Sequence, residues 1–302
     1  MNFQFDFLKS SKAMMLLSTV LVVISLVVVG VPMLTGGGMP FGLNPGLDFT
    51  GGTQLRLQFE DNESAEAVRG VLAGVNVGGV DLSSSTIQDF ADLENTKSVR
   101  MQLTDEDDID AVVRAMQDAF PGVVVISREV IGSQISQELV SSGWQSTLLV
   151  LAVILIYLTW RFRFRYAAGA VIALVHDVII ALGVFAILQV EINLPVIAAF
   201  LTIVGYSVND TIVIFDRIRE NLTAQRKGDP YELINTSLNQ SLRRTVHTSL
   251  TTFIPVLVLT IFGGSVLFAF AFALLLGVVV GTYSSIFVAS SLVHIWTKRV
   301  SA

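Results

Sequence analysis

Six long apolar runs divide the chain, and most of its charged residues lie between them. Each run approaches the roughly 20 residues that an α-helix needs to cross a bilayer core of about 30 Å. The runs lie near residues 13–34, 144–160, 167–189, 195–216, 246–264 and 266–296. The pattern therefore predicts a bundle of six transmembrane helices.

The first apolar run, 13–34, is compatible with a cleaved signal peptide or with a retained helix. Lys9 and Lys12 precede it. The run is longer than the core of a signal peptide, which has about 7–15 residues, and no A-x-A-like cleavage site follows it. We interpret it as transmembrane helix 1, preceded by a short N-terminus of residues 1–12.

Residues 35–140 are more polar, and polar and apolar residues alternate in short stretches. TQLRLQF (53–59) alternates polar and apolar residues, as expected for a strand with one buried face. Residues 104–120 read as a helix with Thr104 as its N-cap and acidic residues in its first turn. With further strands at 80–90, 97–103 and 122–131 and a helix at 63–74, the order is β-α-β-β-α-β. The predicted fold is therefore a six-helix membrane protein with one α+β ferredoxin-like domain between helices 1 and 2.

Basic residues cluster at alternate ends of the apolar runs. They lie in the N-terminus, at 161–165, within 217–244, and at Lys298 and Arg299, whereas the short opposite loops have none. By the positive-inside rule, both termini are cytoplasmic. The domain at 35–140 then lies outside the cytoplasm, and residues 141–302 form helices 2–6 with a cytoplasmic loop at 217–244.

Composition narrows the class of protein. The chain is 52% hydrophobic and 15% charged, with a mean hydropathy of +0.68, which is typical of an integral membrane protein. It has no cysteine, which excludes disulfides and cysteine nucleophiles, and its three histidines are scattered, so we expect no metal site. Residues 35–140 contain six basic and seventeen acidic residues, and this acidity disfavours nucleic acid or an anionic membrane surface as a ligand of the domain.

The stretch VGYSVNDTIVIFDRIREN (204–221) places Asn209 and Asp210 inside the fourth apolar run. A charge at the bilayer centre costs about 2.5–3.5 kcal/mol on insertion scales. Asp210 flanks a polar helix face, which must contact protein or water rather than lipid. That face contains Thr202, Gly205, Tyr206, Asn209 and Asp216. Asp210 is then a proton-binding carboxyl, or else Asn209 forms interhelical hydrogen bonds and Asp210 reaches toward the interface. Asp216, beside Arg217 and Arg219, is expected in an interfacial ion-pair cluster.

Two other spans carry polar residues. Asp177, in LVHDVII (174–180), lies within an apolar run and could line the same cavity as Asp210 or pair with a neighbouring helix. Its neighbour His176 is expected to point elsewhere, because adjacent residues do not face each other on a helix. Arg244 stands at the start of the fifth run, before several hydroxyl residues. It could be the counter-charge to a carboxylate or an ordinary cytoplasmic anchor.

Glycines mark two further features. Gly277, Gly281 and Ser285 recur at four-residue spacing, which predicts close helix packing. After helix 1, the motif that leads into the external domain contains Gly46, Asp48, Gly51 and Gly52, which predict a tight turn. That motif lacks the Lys-Ser/Thr of a P-loop, so we expect no nucleotide. We find no nucleophile–base pair and no H-E-x-x-H motif, and we expect neither enzymatic activity nor a cofactor.

Together these stretches resemble the SecF family of the bacterial Sec protein-export machinery, over nearly the whole chain. The stretches are GLDFTGG (46–52), LVHDVII (174–180), VGYSVNDTIVIFDRIREN (204–221), NQSLRRTVHTSLTT (239–252) and GTYSSIFVAS (281–290). GLDFTGG also occurs in the related SecD proteins, but the short external domain favours SecF. The chain is too short for a fused SecD–SecF protein.

The resemblance implies a multi-pass protein of the bacterial inner membrane, related to proton-driven RND transporters. It implies a complex with SecD beside the SecYEG channel that uses the proton motive force to promote translocation and release of unfolded preproteins. YajC, YidC and membrane lipid are further expected partners, and nucleic acid is not. The resemblance makes Asp210 and Arg244 proton-pathway residues, although Arg243 directly precedes the arginine.

Two alternatives stay open at this point. The first is an RND-like half-transporter for small molecules, which a single external domain of about 100 residues disfavours. The second is a purely structural subunit that braces SecD.

Overall fold

The computed structural model describes residues 5–35, 41–75, 77, 79–89, 93–162, 164–225 and 228–301, without the side chains of Ser84 and of residues 298–301. Parts of three predicted basic clusters lie outside this description: Arg163, Arg226, Lys227, and the side chains of Lys298 and Arg299. The chain forms two compact units. The membrane unit combines Met1–Asn44 with Ser146–Ala302, and the sheet unit is Pro45–Gln145.

Within the described residues, six helices are long and apolar enough to cross a membrane, which confirms that prediction. They are α1 (Phe7–Thr35), α5 (Ser133–Arg161), α6 (Phe164–Leu188), α7 (Leu194–Ala224), α8 (Pro230–Phe262) and α9 (Gly264–Ser284). The last span continues from α9 through a π-helical turn, Ser285–Ala289, into α10 (Ser290–Ser301). A short strand, β6 (Glu191–Ile192), lies between α6 and α7.

Most of the segment 217–244, which we expected to be a loop, is helical. α7 continues to Ala224, and α8 begins at Pro230, where the Asp229 carboxylate caps the helix by accepting from the Tyr231 N–H. A line of polar contacts joins these extensions. Asn221 Nδ2 donates to Ser237 Oγ at 2.7 Å and to Gln240 Oε1 at 2.9 Å. The helices therefore extend beyond their apolar stretches because their polar residues bind each other.

The predicted small-residue stripe packs against α7. A Cβ on Gly277 would collide with Ile203, and one on Gly281 would lie 3.0 Å from Ser207 Cβ. The Ser285 and Thr211 hydroxyls are hydrogen-bonded at 2.8 Å. The contacting residues advance by four along each helix: Gly277, Gly281 and Ser285 on α9 face Ile203, Ser207 and Thr211 on α7. The two helices therefore run parallel at short distance, and we call this contact the seam.

The segment before α1 is bound to the beginning of α8. Asn239 accepts from Phe5 N and donates to Phe5 O, both at 2.8 Å, and Asn235 Oδ1 accepts from Phe7 N at 2.9 Å. The Tyr231 hydroxyl donates to Asp6 Oδ1 at 2.6 Å, which holds the pKa of this exposed carboxyl below its usual value. We call these contacts the N-terminal clasp.

The sheet unit contains a four-stranded antiparallel sheet in the order β3-β4-β2-β5. Its elements are α2 (Leu47–Thr50), β2 (Gly52–Gln58), α3 (Ala65–Gly74), a 3-10 turn (Leu82–Ser84), β3 (Thr86–Asp89), β4 (Thr96–Met101), α4 (Glu106–Ala119) and β5 (Val124–Ile131), and the short strand β1 (Asn44–Pro45) stands at the division between the two units. Leu55 and Leu57 of β2 are fully buried against Val68 of α3 and Ile109 of α4. The alternation in the sequence thus corresponds to one covered face of the sheet.

The N-cap of α4 is Asp105 and not Thr104, so that expectation was wrong. The Asp105 carboxylate accepts from the N–H groups of Asp107 and Asp108 at 3.0 and 3.4 Å. A carboxylate satisfies these free N–H groups and also lies favourably at the positive end of the helix dipole.

Candidate functional site

Asp210 is buried in the membrane unit, although no cationic side chain in the described part of the chain contacts it directly. Its side chain on α7 is 2% exposed. Two hydroxyls of α8 face it, with Thr248 Oγ1 at 3.4 Å from Oδ1 and Ser249 Oγ at 3.4 Å from Oδ2. These are long hydrogen bonds. The carboxyl is therefore held by long contacts to two hydroxyls, each of which can donate or accept a hydrogen bond.

A line of hydroxyl groups continues from Asp210 toward α9. Ser249 Oγ lies 2.7 Å from Thr282 Oγ1, which also donates to Val278 O. On the next turn, Ser285 Oγ contacts Thr211 Oγ1 at 2.8 Å. Hydroxyls can donate and accept, so such a line adjusts to a charged or a neutral carboxyl without moving the backbone.

Arg244 is the cation that acts on Asp210. It is exposed on α8, one turn before Thr248, and its charge interacts with the Asp210 carboxyl. The two side chains, both described by the structure, form no ion pair. Arg243 is also exposed, but the electrostatic neighbour of Asp210 is Arg244. The charge interaction with Asp210 thus favours Arg244 between the two arginines.

The polar stripe predicted on α7 lies on a different face from Asp210. Thr202, Gly205 and Asn209 are exposed, whereas Asp210 points into the unit. Asp216 pairs with Arg161 of α5 at 2.6 Å, and Arg217 pairs with Glu220. Asp216 is therefore in an ion pair, as expected, but its partner is Arg161 of α5 and not the neighbouring Arg217 or Arg219.

Asp177 forms a second buried polar cluster. It is 2% exposed, and its Oδ2 accepts from Ser207 Oγ of α7 at 2.7 Å and from Ser284 Oγ of α9 at 2.8 Å. His176 Nδ1 lies 2.9 Å from Asp177 Oδ1. Our expectation that these adjacent side chains would not meet was wrong, because rotation about their side-chain bonds overcomes their angular separation on the helix.

Sequence reasoning missed Ser207 and Ser284. Ser207 lies one turn before Asp210 on the same buried face, and Ser284 directly precedes Ser285 of the small-residue stripe. A search for hydroxyl residues one helical turn from a buried carboxylate would have found Ser207. Ser284 lies at the end of α9, and its contact with Asp177 joins residues 107 positions apart, which no local pattern in the sequence reveals.

The glycine motif before the first long strand forms a tight turn inside the sheet unit. Gly51 and Gly52 have φ angles of 66° and 101°, which favour glycine, and a Cβ on Gly52 would collide with the Met101 carbonyl. Gly46 precedes α2, and the Asp48 carbonyl accepts from Ser136 Oγ at 3.1 Å. A side chain at Gly52 would have to displace the strand, and one at Gly51 would be strained by its positive φ angle.

No group of three His, Cys, Asp or Glu residues that could hold a metal ion occurs among the described residues.

Two family models match the chain. Residues 111–299 match "Protein export membrane protein SecD/SecF, C-terminal", and residues 41–63 match the "SecD/SecF GG Motif". The first range contains Asp177, Asp210 and Arg244, and the second contains the glycine turn.

Curated relatives match over most of their length. The Protein translocase subunit SecF of Vibrio alginolyticus is 44% identical over 257 residues, covering 83% of this chain and 79% of the relative. The SecF of Desulfurispirillum indicum is 42% identical over 294 residues, covering 94% and 91%.

A solved structure matches the whole chain. The crystal structure of SecDF, a translocon-associated membrane protein from Thermus thermophilus, has a TM-score of 0.86 at 36% identity. The match covers 99% of this chain but 39% of that one. A second SecDF structure, in a super-membrane-facing form, matches with a TM-score of 0.66 at 33% identity.

Proposed function

Because this chain belongs to the SecF family of protein translocase subunits, we propose that it uses the proton motive force to assist protein export as an accessory subunit of the Sec machinery. It is a multi-pass protein of the bacterial inner membrane with a transport role. The energy of the proton gradient is used when a proton binds to Asp210 and then leaves it within the membrane unit. Each elementary charge that crosses the membrane field is worth about 2.3 kcal/mol per 100 mV.

The observation that carries this proposal is the environment of Asp210. An ionised carboxyl is costly to bury without a paired cation. Within the described part of the chain, Asp210 has two hydroxyls at 3.4 Å and the more distant charge of Arg244. A purely structural carboxylate would be expected to have short hydrogen bonds, as Asp177 has. Weak, exchangeable contacts suit a group that must change its charge.

The exposed stripe on α7 supports a partnership with SecD. Thr202, Gly205 and Asn209 lie on one face of a spanning helix and are exposed in this chain. Polar groups at that depth are expected to face protein or water. SecD is the natural occupant, since the SecDF chain of Thermus thermophilus is more than twice as long as its matching part. In this arrangement Asn209 contributes to the proton path from the partner's side.

We assign the sheet unit to the outer side of the membrane and both termini to the cytoplasm. The sheet unit has the element order β-α-β-β-α-β and an antiparallel sheet, which suit a ferredoxin-like domain. Proton binding would shift the equilibrium between two conformations of the protein, and the sheet unit would transmit this change to a preprotein. SecYEG and the unfolded preprotein are the partners that we propose for this role, and YajC and YidC are further candidates.

The test is preprotein translocation in inverted vesicles that contain SecD and the Asp210→Asn variant, with and without a proton gradient. We expect the stimulation by the gradient to disappear while the complex with SecD persists. Asp216→Asn is the matched control, because it removes a carboxylate from the same helix at the ion pair with Arg161. Unchanged stimulation in Asp210→Asn would instead favour the purely structural subunit.

A further inference from the structure

His176 is a buried titratable group that the proposed function does not use. Its side chain is 6% exposed, and its Nδ1 lies 2.9 Å from Asp177 Oδ1. Its other ring nitrogen, Nε2, is buried and has no hydrogen-bond partner among the residues that the structure describes. An unpartnered buried polar atom destabilises a protein and requires an explanation.

The groups around the ring come from α1, α6, α7 and α9. The ring stacks on Tyr283 of α9, with centroids 6.3 Å apart and an interplanar angle of 25°. The Tyr283 hydroxyl donates to the Met14 carbonyl and contacts Ser18 Oγ, both on α1, so it is already engaged. The charged groups to consider are Asp177 on the ring's own helix and Asp210 on α7, one turn beyond Ser207.

The contacts of Asp177 determine which nitrogen can take a proton. Ser207 and Ser284 both donate to Asp177 Oδ2, so this carboxylate is stabilised as an acceptor. Nδ1 of His176 then carries the hydrogen that Oδ1 accepts. The tautomer that follows has its lone pair on Nε2.

We propose that His176 is a second proton-binding site in the membrane unit, with the proton held on Nε2 and with Asp177 as the residue that orients the ring. The proposal rests on the proposed use of protons at Asp210. Uptake of one proton converts the neutral imidazole into an imidazolium and changes the charge of the His176–Asp177 pair from −1 to 0. No other bond is made or broken.

The two proton sites are joined through α7. Ser207, which donates to Asp177, is three residues from Asp210, and its backbone carbonyl accepts from Ser285 at 3.4 Å. A change of charge at His176 therefore acts on the segment that holds Asp210 and on the π-helical turn opposite it. This places His176 where it can couple successive protonation steps.

The decisive variant is His176→Asn. An asparagine amide can donate to Asp177 as Nδ1 does, but it has no nitrogen that accepts a proton. His247→Asn is the matched control, because His247 is exposed on α8. The chain has only three histidines, so ring ¹⁵N spectra of the full-length protein in lipid vesicles can be assigned by replacing each in turn.

We expect the signal lost in His176→Asn to change reversibly from the neutral to the imidazolium form as the pH is lowered through the physiological range. We also expect this variant, and not His247→Asn, to lose gradient-stimulated translocation while it still assembles with SecD. A His176 signal that is constant over this range would overturn the proposal. So would full stimulation in His176→Asn.

The outcomes separate the two proposals. If Asp210→Asn loses stimulation and His176→Asn retains it, the function at Asp210 stands and the second site falls. If Asp210→Asn retains stimulation, the proposed function itself fails, whatever the histidine signal does. A titrating His176 together with loss of stimulation in both variants supports the second site.

Discussion

At the scale of single residues, the two buried carboxylates differ in how firmly they are held. Asp177 accepts three short hydrogen bonds, between 2.7 and 2.9 Å. Asp210 accepts two at 3.4 Å. Short bonds to charged groups are the strong ones, so Asp177 is suited to hold three helices together. The long bonds of Asp210 are the reason that we propose proton exchange at Asp210 and not at Asp177.

Removal of the two hydroxyls that face Asp210 should impair proton use. In the double variant Thr248→Val and Ser249→Ala, each lost bond is worth about 1 kcal/mol, since both are long. We expect a several-fold weaker gradient stimulation of translocation with normal assembly. Thr251→Val is the control, because Thr251 donates to backbone carbonyls of its own helix. Equal loss in the control would contradict this role.

The N-terminal clasp should open at acidic pH. The Tyr231 hydrogen bond lowers the pKa of Asp6 from its usual 3.8. The ionised carboxylate therefore stabilises the clasp fully when the pH is above the usual pKa. The clasp loses this stabilisation as the pH falls through the lowered pKa. Spin labels at Phe5→Cys and Glu232→Cys should give a narrow distance distribution at neutral pH, and it should broaden only when the pH falls below the usual carboxyl pKa of 3.8.

Tyr231→Phe provides the control for the clasp. It keeps the ring against His294 but removes the donor to Asp6. The onset of broadening should move to higher pH, toward the usual value of a carboxyl. An unchanged onset would show that this hydrogen bond does not hold the segment.

At the scale of elements, the seam between α7 and α9 determines where the polar residues lie. Gly277 and Gly281 allow the two helices to approach closely. This approach places Ser207 of α7 and Ser284 of α9 where both donate to Asp177. Gly205 lies on another face of α7, where an added Cβ would meet no described atom within 4 Å. Substitutions at Gly277 and Gly205 can therefore separate internal packing from contact with a partner.

Gly277→Val should destabilise the chain by about 1–3 kcal/mol, because the new side chain collides with Ile203. Part of this loss should be recovered when Ile203→Ala is added, and a double-mutant cycle of unfolding in detergent measures the coupling. Additive effects of the two substitutions would contradict the contact.

Gly205→Val should leave the packing of the isolated chain intact, because the space beside Gly205 is open in the part of the chain that the structure describes. If the exposed stripe of α7 faces SecD, the same substitution should reduce the amount of SecD that co-purifies. Normal recovery of SecD would remove this face from the proposed interface.

The sequence predicted the elements better than their ends and contacts. Run length and hydropathy were enough for six spans, and the alternation around Leu55 and Leu57 was enough for the central strand. The helical extensions into 217–244 escaped because polar contacts such as Asn221 with Ser237 stabilise them. Asp216 was matched to the wrong arginine because its partner, Arg161, is 55 residues away, and no local pattern encodes that distance.

At the scale of the whole molecule, charge is divided unequally along the chain. Residues 35–140 contain seventeen acidic and six basic residues, whereas the chain as a whole has a net charge of −6. The rest of the chain is therefore basic, as expected for loops on the cytoplasmic side. The similarity to SecF relatives confirms the family resemblance of the sequence, and the orientation stays a prediction.

The absence of cysteine makes this orientation simple to measure. Asp107→Cys lies on exposed α4 of the sheet unit, and Arg219→Cys lies on the exposed end of α7. In intact spheroplasts, a membrane-impermeant thiol reagent should label the first and not the second, and in inverted vesicles the pattern should reverse. Labelling of both from one side would refute the proposed topology.

The π-helical turn has a consequence for how this sequence can vary in length. Such a turn accommodates one residue more than an α-helix of the same rise. Loss of one residue from Ser285–Ala289 would restore regular α-helix and leave the residues after it on the same faces, so that Val293, now 1% exposed, would stay in the core. Loss of one residue from the regular part of α9 would instead turn everything after it by about 100°. Homologous chains should therefore tolerate a single-residue deletion within this turn more readily than one elsewhere in the span.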